Sequence, residues 1–406
     1  MRVIVVGSSV AGVCACGALR TSGFDGDVVL LGGEDCPPYD RPPLSKQLLL
    51  GAVTPADIAL PDGARLQELA VERRAGTVAT GLDLAAREVV LAGGARLAYD
   101  GLILATGSNA RRLPDQPPAA GIHVLRTLDD AIGLKRDFAV ARHVVVIGAG
   151  FIGLEVASSA RALGIDVTIL ETGPSPMARV FPADIGEWFT ELHAGFGVSI
   201  RCRAAVTGFE IARGRVVAVR LADGDSVAAD VVVVGIGAVP ATDWLRGSGL
   251  TLDDGVVCDA ALRAAAGVYA AGDVARWEHP LFGPVRVEHW TTARDHARTA
   301  AWNLTAELDG RPGDVRVAAE VPYFWSDQHN TKIQMTGWSA GHDRMHALRG
   351  NQRRAVLFGR DGVLVGAMTW NWAALVGRQR RAVDARAPWD EAIAAVADFA
   401  PEGESW

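Results

Sequence analysis

The segment HVVVIGAGFIGLEVASSARALGIDVTILE, His143 to Glu171, constrains this chain more than any other. The β-branched run Val144 to Ile147 predicts a strand, Gly148-x-Gly150-x-x-Gly153 a tight turn into a helix, and Val167 to Leu170 a second strand ending at Glu171. A unit of this kind holds a dinucleotide, and each glycine has its own reason. Gly148 makes the turn, Gly150 lets the backbone approach a pyrophosphate, and Gly153 lets helix and strand pack closely. The phosphate is expected at the helix N-terminus, where backbone N–H groups lack intrahelical partners. Glu171 can accept from both ribose hydroxyls and would repel a 2′-phosphate, which favours NADH over NADPH. Arg179, nearby in sequence, is expected to be structural.

The same layout opens the chain. A strand over Arg2–Val6 leads into Gly7-Ser8-Ser9-Val10-Ala11-Gly12, a helix to about Leu19, a strand over Val28–Leu31, and then Gly32, Gly33 and Glu34. Only the middle glycine is altered, to Ser9, whose hydroxyl can donate to a phosphate oxygen; Glu34 is the expected ribose acceptor. Two such turns imply two nucleotides. YDGLILATGS (Tyr99 to Ser108) and GVYAAGDVARW (Gly267 to Trp277) are each a short apolar strand running into glycine, and Asp273 in the second can accept from a polyol hydroxyl.

With 406 residues, 49% of them hydrophobic, the chain is long enough for two or three packed cores. A net charge of -7 gives no electrostatic footprint for nucleic acid. No apolar run approaches the roughly 18 residues of a membrane span, and the N-terminus carries no signal-peptide pattern, so a cytoplasmic protein is expected. The 5 cysteines are scattered and form no CxxC pair, which suggests neither a disulfide framework nor a zinc site. No metal site is expected; His342 and His346 in GHDRMH lack further ligands.

Together these residues resemble the pyridine-nucleotide-linked flavoprotein reductases of the glutathione-reductase fold, over nearly the whole chain. PYDRPPLSK (Pro38 to Lys46), LRTLDDA (Leu125 to Ala131), VEHWTTARDHAR (Val287 to Arg298) and VPYFWSDQ (Val321 to Gln328) narrow the resemblance to the oxygenase-coupled ferredoxin reductases. It implies an α/β fold with two Rossmann-like nucleotide-binding domains and a C-terminal α+β domain. The FAD domain is expected over 1–112 and 243–320, the NADH domain over 113–242, and an interface domain over 321–406.

It implies FAD contacts from Gly7, Ser9, Ala11, Gly12, Glu34, Arg41, Pro42, Lys46, Val78, Ala105, Thr106, Gly107, Arg126, Gly272, Asp273, His289, Trp290 and Trp325. NADH contacts are expected from Gly148, Gly150, Ile152, Gly153, Glu155, Glu171 and Gly237. Lys46 is placed by resemblance near flavin N5 and Glu155 on the nicotinamide side, so a Lys46–Glu155 pair is expected at the catalytic position, the carboxylate offsetting the cost of burying the cation. RPPLSK holds no cysteine where disulfide reductases of this fold carry a redox-active pair. Electrons are therefore expected to leave one at a time to a [2Fe-2S] ferredoxin that feeds a monooxygenase or ring-hydroxylating dioxygenase. Arg298 and Arg380 match docking positions, with Arg378 and Arg381 as further candidates. A rubredoxin reductase, an NADH oxidase and a slow-turnover flavin-holding interaction protein are the alternatives.

Overall fold

The computed structural model describes residues 1–311, 313–350 and 353–397. Contacts group them into two compact units: one of 1–40, 58–109 and 239–324, the other of 41–57, 110–238 and the chain from 325 onward.

The first unit is built on a six-stranded sheet in the order Arg263–Ala265, Val268–Ala270, Gly101–Leu104, Arg2–Val6, Asp27–Leu31, Val71–Arg74. Arg2–Val6 lies between parallel neighbours on both sides, Asp27–Leu31 and Gly101–Leu104. Val3, Ile4 and Val5 are fully buried. A strand covered on both faces has no polar side to alternate with, which is why RVIVV and DVVLL read as near-continuous apolar runs. The helix Val10–Thr21 makes the crossover and packs on a 19-residue helix, Trp290–Leu308. Ala297, Ala300, Ala301 and Leu304 are buried along the latter's inner face. Gly101 is glycine for packing, since a Cβ there would come within 2.9 Å of Leu304 Cδ1.

The second unit repeats the arrangement. Its parallel sheet runs Ser199–Arg201, Asp166–Leu170, His143–Ile147, Val231–Val234, Ile122–His123. Segment 41–57 belongs here because its turn Pro42–Ser45 packs on the helices Phe151–Ala162 and Leu128–Phe138, and Ser159 Oγ donates to the Ser45 carbonyl at 2.7 Å. Toward the C-terminus a five-stranded sheet runs in the order Tyr323–Gln328, Thr331–Gly337, Val363–Trp370, Arg354–Arg360, Arg344–Arg349. Helices Ala373–Asp384 and Trp389–Ala397 follow it. Among the described residues no helix is long and apolar enough to cross a membrane.

Buried histidines carry a cost that appears at low pH. Desolvation pushes His193, at 0% exposure, down from 6.5 to about 4, and His296, at 2%, down to about 3. Both stay neutral in the fold while the unfolded chain protonates near 6.5. Their contribution is therefore intact above that value and is lost as pH falls toward 4, on the order of 1.4 kcal/mol per pH unit for each. The melting temperature is expected to fall by several degrees between pH 7.5 and pH 5, less so in His296→Phe; a fall undiminished in that variant would contradict the assignment.

Candidate functional site

In the first unit, Gly7 (φ +117°) sits where a Cβ would lie 2.1 Å from the Ala105 carbonyl oxygen, and a Cβ at Gly12 would lie 1.7 Å from that of Gly7. Both glycines are demanded by the protein's own backbone. Ser9 caps the helix in extended conformation (φ -99°, ψ -163°), and its side chain makes no cap hydrogen bond. The matching residue of the second turn, Gly150, has nearly the same backbone (φ -84°, ψ 177°). Any residue adopts that conformation, so the serine is free of backbone strain. The helix it opens has no acidic side chain in its first turn to oppose an anion.

Around this turn the other expected residues take defined places. Glu34 accepts from the Tyr39 hydroxyl at 2.6 Å. Val78 is exposed, and its Cγ2 lies 3.7 Å from where a Cβ at Gly33 would be. Thr106 Oγ1 donates to the Ala241 carbonyl at 3.0 Å, and Gly107 turns the chain at φ +70°. Gly272 (φ +76°) leaves room for Ala11, whose Cβ would be 3.1 Å from an added Cβ. Small residues at both positions bring the helix N-terminus close to Asp273, which accepts from Ser108 Oγ at 2.9 Å. Trp290 Nε1 donates to Asp40 at 2.9 Å, and desolvation pushes His289 down to about 4.

The second turn follows the same logic with one instructive difference. A Cβ at Gly148 (φ +101°) would meet the Gly235 carbonyl oxygen at 2.5 Å, and one at Gly153 the Gly148 carbonyl oxygen at 2.2 Å. At Gly150 an added Cβ would meet nothing within 4 Å. Packing therefore does not require glycine there. Ile152 on the first helical turn is exposed. Glu171 accepts from the Ala149 and Gly173 N–H groups, each at 2.7 Å, which holds its carboxylate at the turn with acceptor sites to spare. Arg179 donates to the Ile236 carbonyl at 3.2 Å and covers Gly237 (φ +105°).

Also in the second unit, Lys46 Nζ stands 2.9 Å from Glu155 Oε1, with the two side chains only 10% and 4% exposed. Ser326 Oγ donates to the same oxygen at 2.6 Å, and Ser45 Oγ donates to Oε2 at 2.5 Å. A buried carboxylate is costly unless paired and hydrogen-bonded, and these donors meet both conditions. The two serines were absent from the sequence-predicted site. They stand beside Lys46 in PPLSK and beside Trp325 in FWSDQ, so the motifs themselves were the available signal. Ser326 is buried and Trp325 half-buried, as strand alternation places them on opposite faces. Arg41 donates to the Arg126 carbonyl, and the Arg126 N–H donates to Asp130 at 3.0 Å, beside the Thr127 capping box that opens Leu128–Phe138. Pro42 begins the turn Pro42–Ser45, where its missing N–H is no loss.

Arg298 is exposed and 3.6 Å from Asp295; Arg380 is half-exposed. No disulfide joins Cys14, Cys16, Cys36, Cys202 or Cys258. Burial pushes Cys16 and Cys258 up to about 12, far from the thiolate that redox chemistry needs. Among the described residues no three His, Cys, Asp or Glu side chains gather as a metal site.

Residues 1–297 match the family model of the pyridine nucleotide-disulphide oxidoreductases, and 323–400 a reductase C-terminal model. The chain is 39% identical over 356 residues to rhodocoxin reductase of Rhodococcus erythropolis, covering 86% of this chain and 81% of that one. It is 37% identical over 341 residues to the ferredoxin–NAD(+) reductase component of the biphenyl dioxygenase system of Paraburkholderia xenovorans, covering 84% and 81%. The solved covalent complex of putidaredoxin reductase with putidaredoxin superposes with a TM-score of 0.90 at 31% identity, covering 98% of this chain and 99% of that one.

Proposed function

The chain belongs to the pyridine nucleotide-disulphide oxidoreductase family, and from that premise we propose that it is an FAD-dependent NADH:ferredoxin reductase. It passes electrons from NADH to a small [2Fe-2S] ferredoxin that feeds a monooxygenase or ring-hydroxylating dioxygenase. The observation that carries this reading is the conjunction of two dinucleotide turns with a buried, cysteine-free Lys46–Glu155 pair. We assign the FAD domain to 1–112 and 243–320, the NADH domain to 113–242 and an interface domain to 321–406, of which 398–406 lie outside the described residues. The cytoplasm, where NADH is available, is its proposed location.

FAD, when bound, accepts a hydride from NADH and gives up electrons singly, chemistry that no side chain of this protein can supply. The residues hold and tune. Gly7, Ser9, Ala11 and Gly12 present the helix N-terminus to the FAD pyrophosphate, Glu34 faces the ribose, Asp273 the ribityl chain, and Ala105, Thr106, Gly107, Gly272, His289, Trp290, Arg41, Pro42, Arg126, Val78 and Trp325 complete the cofactor's surroundings. Gly148, Gly150, Ile152, Gly153 and Gly237 cradle NADH, and Glu171 takes its ribose hydroxyls. Lys46 supplies a cation where reduction adds negative charge, and Glu155, 2.9 Å away, balances and orients that cation in a nearly solvent-free setting.

The oxidising side is electrostatic. An acidic ferredoxin is steered by basic side chains, and loss of such contacts weakens encounter rather than chemistry. Reversing charge at both Arg298 and Arg380 is expected to raise the KM for ferredoxin about tenfold. NADH oxidation by ferricyanide, which needs no docking, should keep its rate. Equal losses in both assays would sink the docking assignment.

A further inference from the structure

Glu155 is the end of a longer chain of buried polar groups within the second unit. Ser326 Oγ, which donates to Glu155, lies 3.0 Å from Gln328 Nε2; Gln328 Oε1 lies 3.1 Å from His193 Nε2; and His193 Nδ1 lies 3.1 Å from His329 Nε2. Ser326, Gln328 and His193 are at 1%, 0% and 0% exposure, and His329 is only partly covered. These residues come from widely separated segments, with His193 and Gln328 135 positions apart. An apolar core at those positions would avoid every desolvation cost, so a fully connected polar chain calls for a role.

The chemistry of the groups fixes its direction. A carboxylate only accepts, so Ser326 must donate to Glu155 and has lone pairs left for the Gln328 amide N–H. The amide oxygen only accepts, so His193 must carry its proton on Nε2. Its Nδ1 is then the acceptor, and His329 must donate through Nε2. Every donor thus faces Glu155. The arrangement requires His193 to be neutral, because a second proton on Nδ1 would confront the His329 N–H. Burial supplies that condition, pushing His193 and His329 each down to about 4. His329 is fixed besides: its backbone N–H donates to Ser158 Oγ at 2.6 Å, and Phe196 stacks on its ring at 4.1 Å.

We propose that Ser326, Gln328, His193 and His329 are positioning residues for the Lys46–Glu155 pair, acting as a one-way hydrogen-bond chain that fixes the orientation and acceptor strength of the Glu155 carboxylate. Dipoles aligned head to tail reinforce one another, so the last donor, Ser326, is stronger than an isolated serine. The Glu155 oxygen it holds is the one that faces Lys46. The proposal rests on the reading of that pair as part of the reducing site.

The chain can be tested with and without turnover. In the wild-type protein, ¹⁵N NMR of labelled histidine should find His193 neutral with its proton on Nε2 at pH 7; a proton on Nδ1 would overturn the proposal. Gln328→Leu leaves Ser326 bound to Glu155 but without its own donor, and should lower the rate of flavin reduction by NADH about fivefold, the scale of one neutral hydrogen bond. The dissociation constant for NADH should hardly change. Gln328→Glu should do something a structural role would not. Its protonated acid donates and accepts as the amide does, while its carboxylate takes the Ser326 hydroxyl away from Glu155. The titratable and charged groups near that position are His193 on Ala183–Gly195, Glu155 beyond Ser326 with Lys46 behind it, and His329 with Arg161 from Phe151–Ala162.

Gln328→Glu should therefore reduce flavin at nearly the wild-type rate at low pH and lose rate as pH rises, over a range where the wild type is flat. A pH profile parallel to wild type would overturn the chain. If Gln328→Leu does not fold, Ser326→Ala takes its place, with a loss of about tenfold or more because it removes the bond to the Glu155 carboxylate itself. Lys46→Met separates the two levels of the argument. If it leaves flavin reduction unchanged, the reading of the pair fails; if it slows reduction while both Gln328 variants match wild type, the chain alone fails.

Discussion

Lys46→Met is expected to slow flavin reduction by NADH about a hundredfold while the protein stays yellow. Lys46 Nζ lies 2.9 Å from Glu155 and both side chains are nearly out of solvent, so truncation leaves a buried carboxylate without its counter-charge. Removing one partner of such a pair costs about 3–5 kcal/mol. Ser45 and Ser326 keep their hydrogen bonds to Glu155, which absorbs part of that cost. That cost falls on stability; the hundredfold loss of rate corresponds to about 2.7 kcal/mol of transition-state stabilisation that the Lys46 cation would supply as negative charge develops. Rapid mixing with NADH under anaerobic conditions resolves that step, and the dissociation constant for NADH should change far less than the rate. Lys46→Arg should be nearly as slow, because a planar guanidinium does not reproduce a compact ammonium.

Gly12→Ala is expected to yield protein that holds little FAD and melts well below wild type. The added Cβ would stand 1.7 Å from the Gly7 carbonyl oxygen and 3.3 Å from Leu30 Cδ1. The first contact is with backbone, so no rotamer relieves it, and the turn has to open. Overpacking of this kind costs about 1–3 kcal/mol or more, and it displaces the helix N-terminus that would meet the pyrophosphate. Ser9→Gly, three residues away, is the control. Ser9 makes no cap hydrogen bond and its backbone is ordinary, so flavin content should stay at wild-type level and stability should change by a few tenths of a kcal/mol. Flavin absorbance and thermal melting of the two variants read both outcomes. Equal flavin content in both would contradict the assignment of the turn.

These two variants also mark where the sequence is legible. Gly7, Gly12, Gly148 and Gly153 can be read without a structure because what each must avoid lies in its own strand–turn–helix unit or in the strand beside it. Ser9 looks like damage in the sequence, and only its backbone angles, close to those of Gly150, show that the serine adds no strain. The Lys46–Glu155 pair is legible through motif resemblance alone, since nothing local to either residue points to the other. Ser45 lies 110 positions from Glu155 and Ser326 lies 171 from it, so their hydrogen bonds exist only after the tertiary fold forms. Hydroxyl side chains fit caps, turns and strands alike, and give no hint of a buried partner. The grouping of 41–57 with 110–238 is equally silent. It comes from the packing of Pro42–Ser45 on two helices and a serine contact, and neither is punctuated by composition. His193 reads as an ordinary residue of an amphipathic helix, and Gln328 as the end of a strand.

The central claim is that electrons enter from NADH and leave only to a ferredoxin. The direct measurement mixes the purified flavoprotein with NADH and cytochrome c, with and without a [2Fe-2S] ferredoxin. The account predicts rapid bleaching of the flavin by NADH in either case, and rapid cytochrome c reduction only when the ferredoxin is present. Rapid oxygen consumption without ferredoxin, or a flavin that NADH bleaches only slowly, would contradict it.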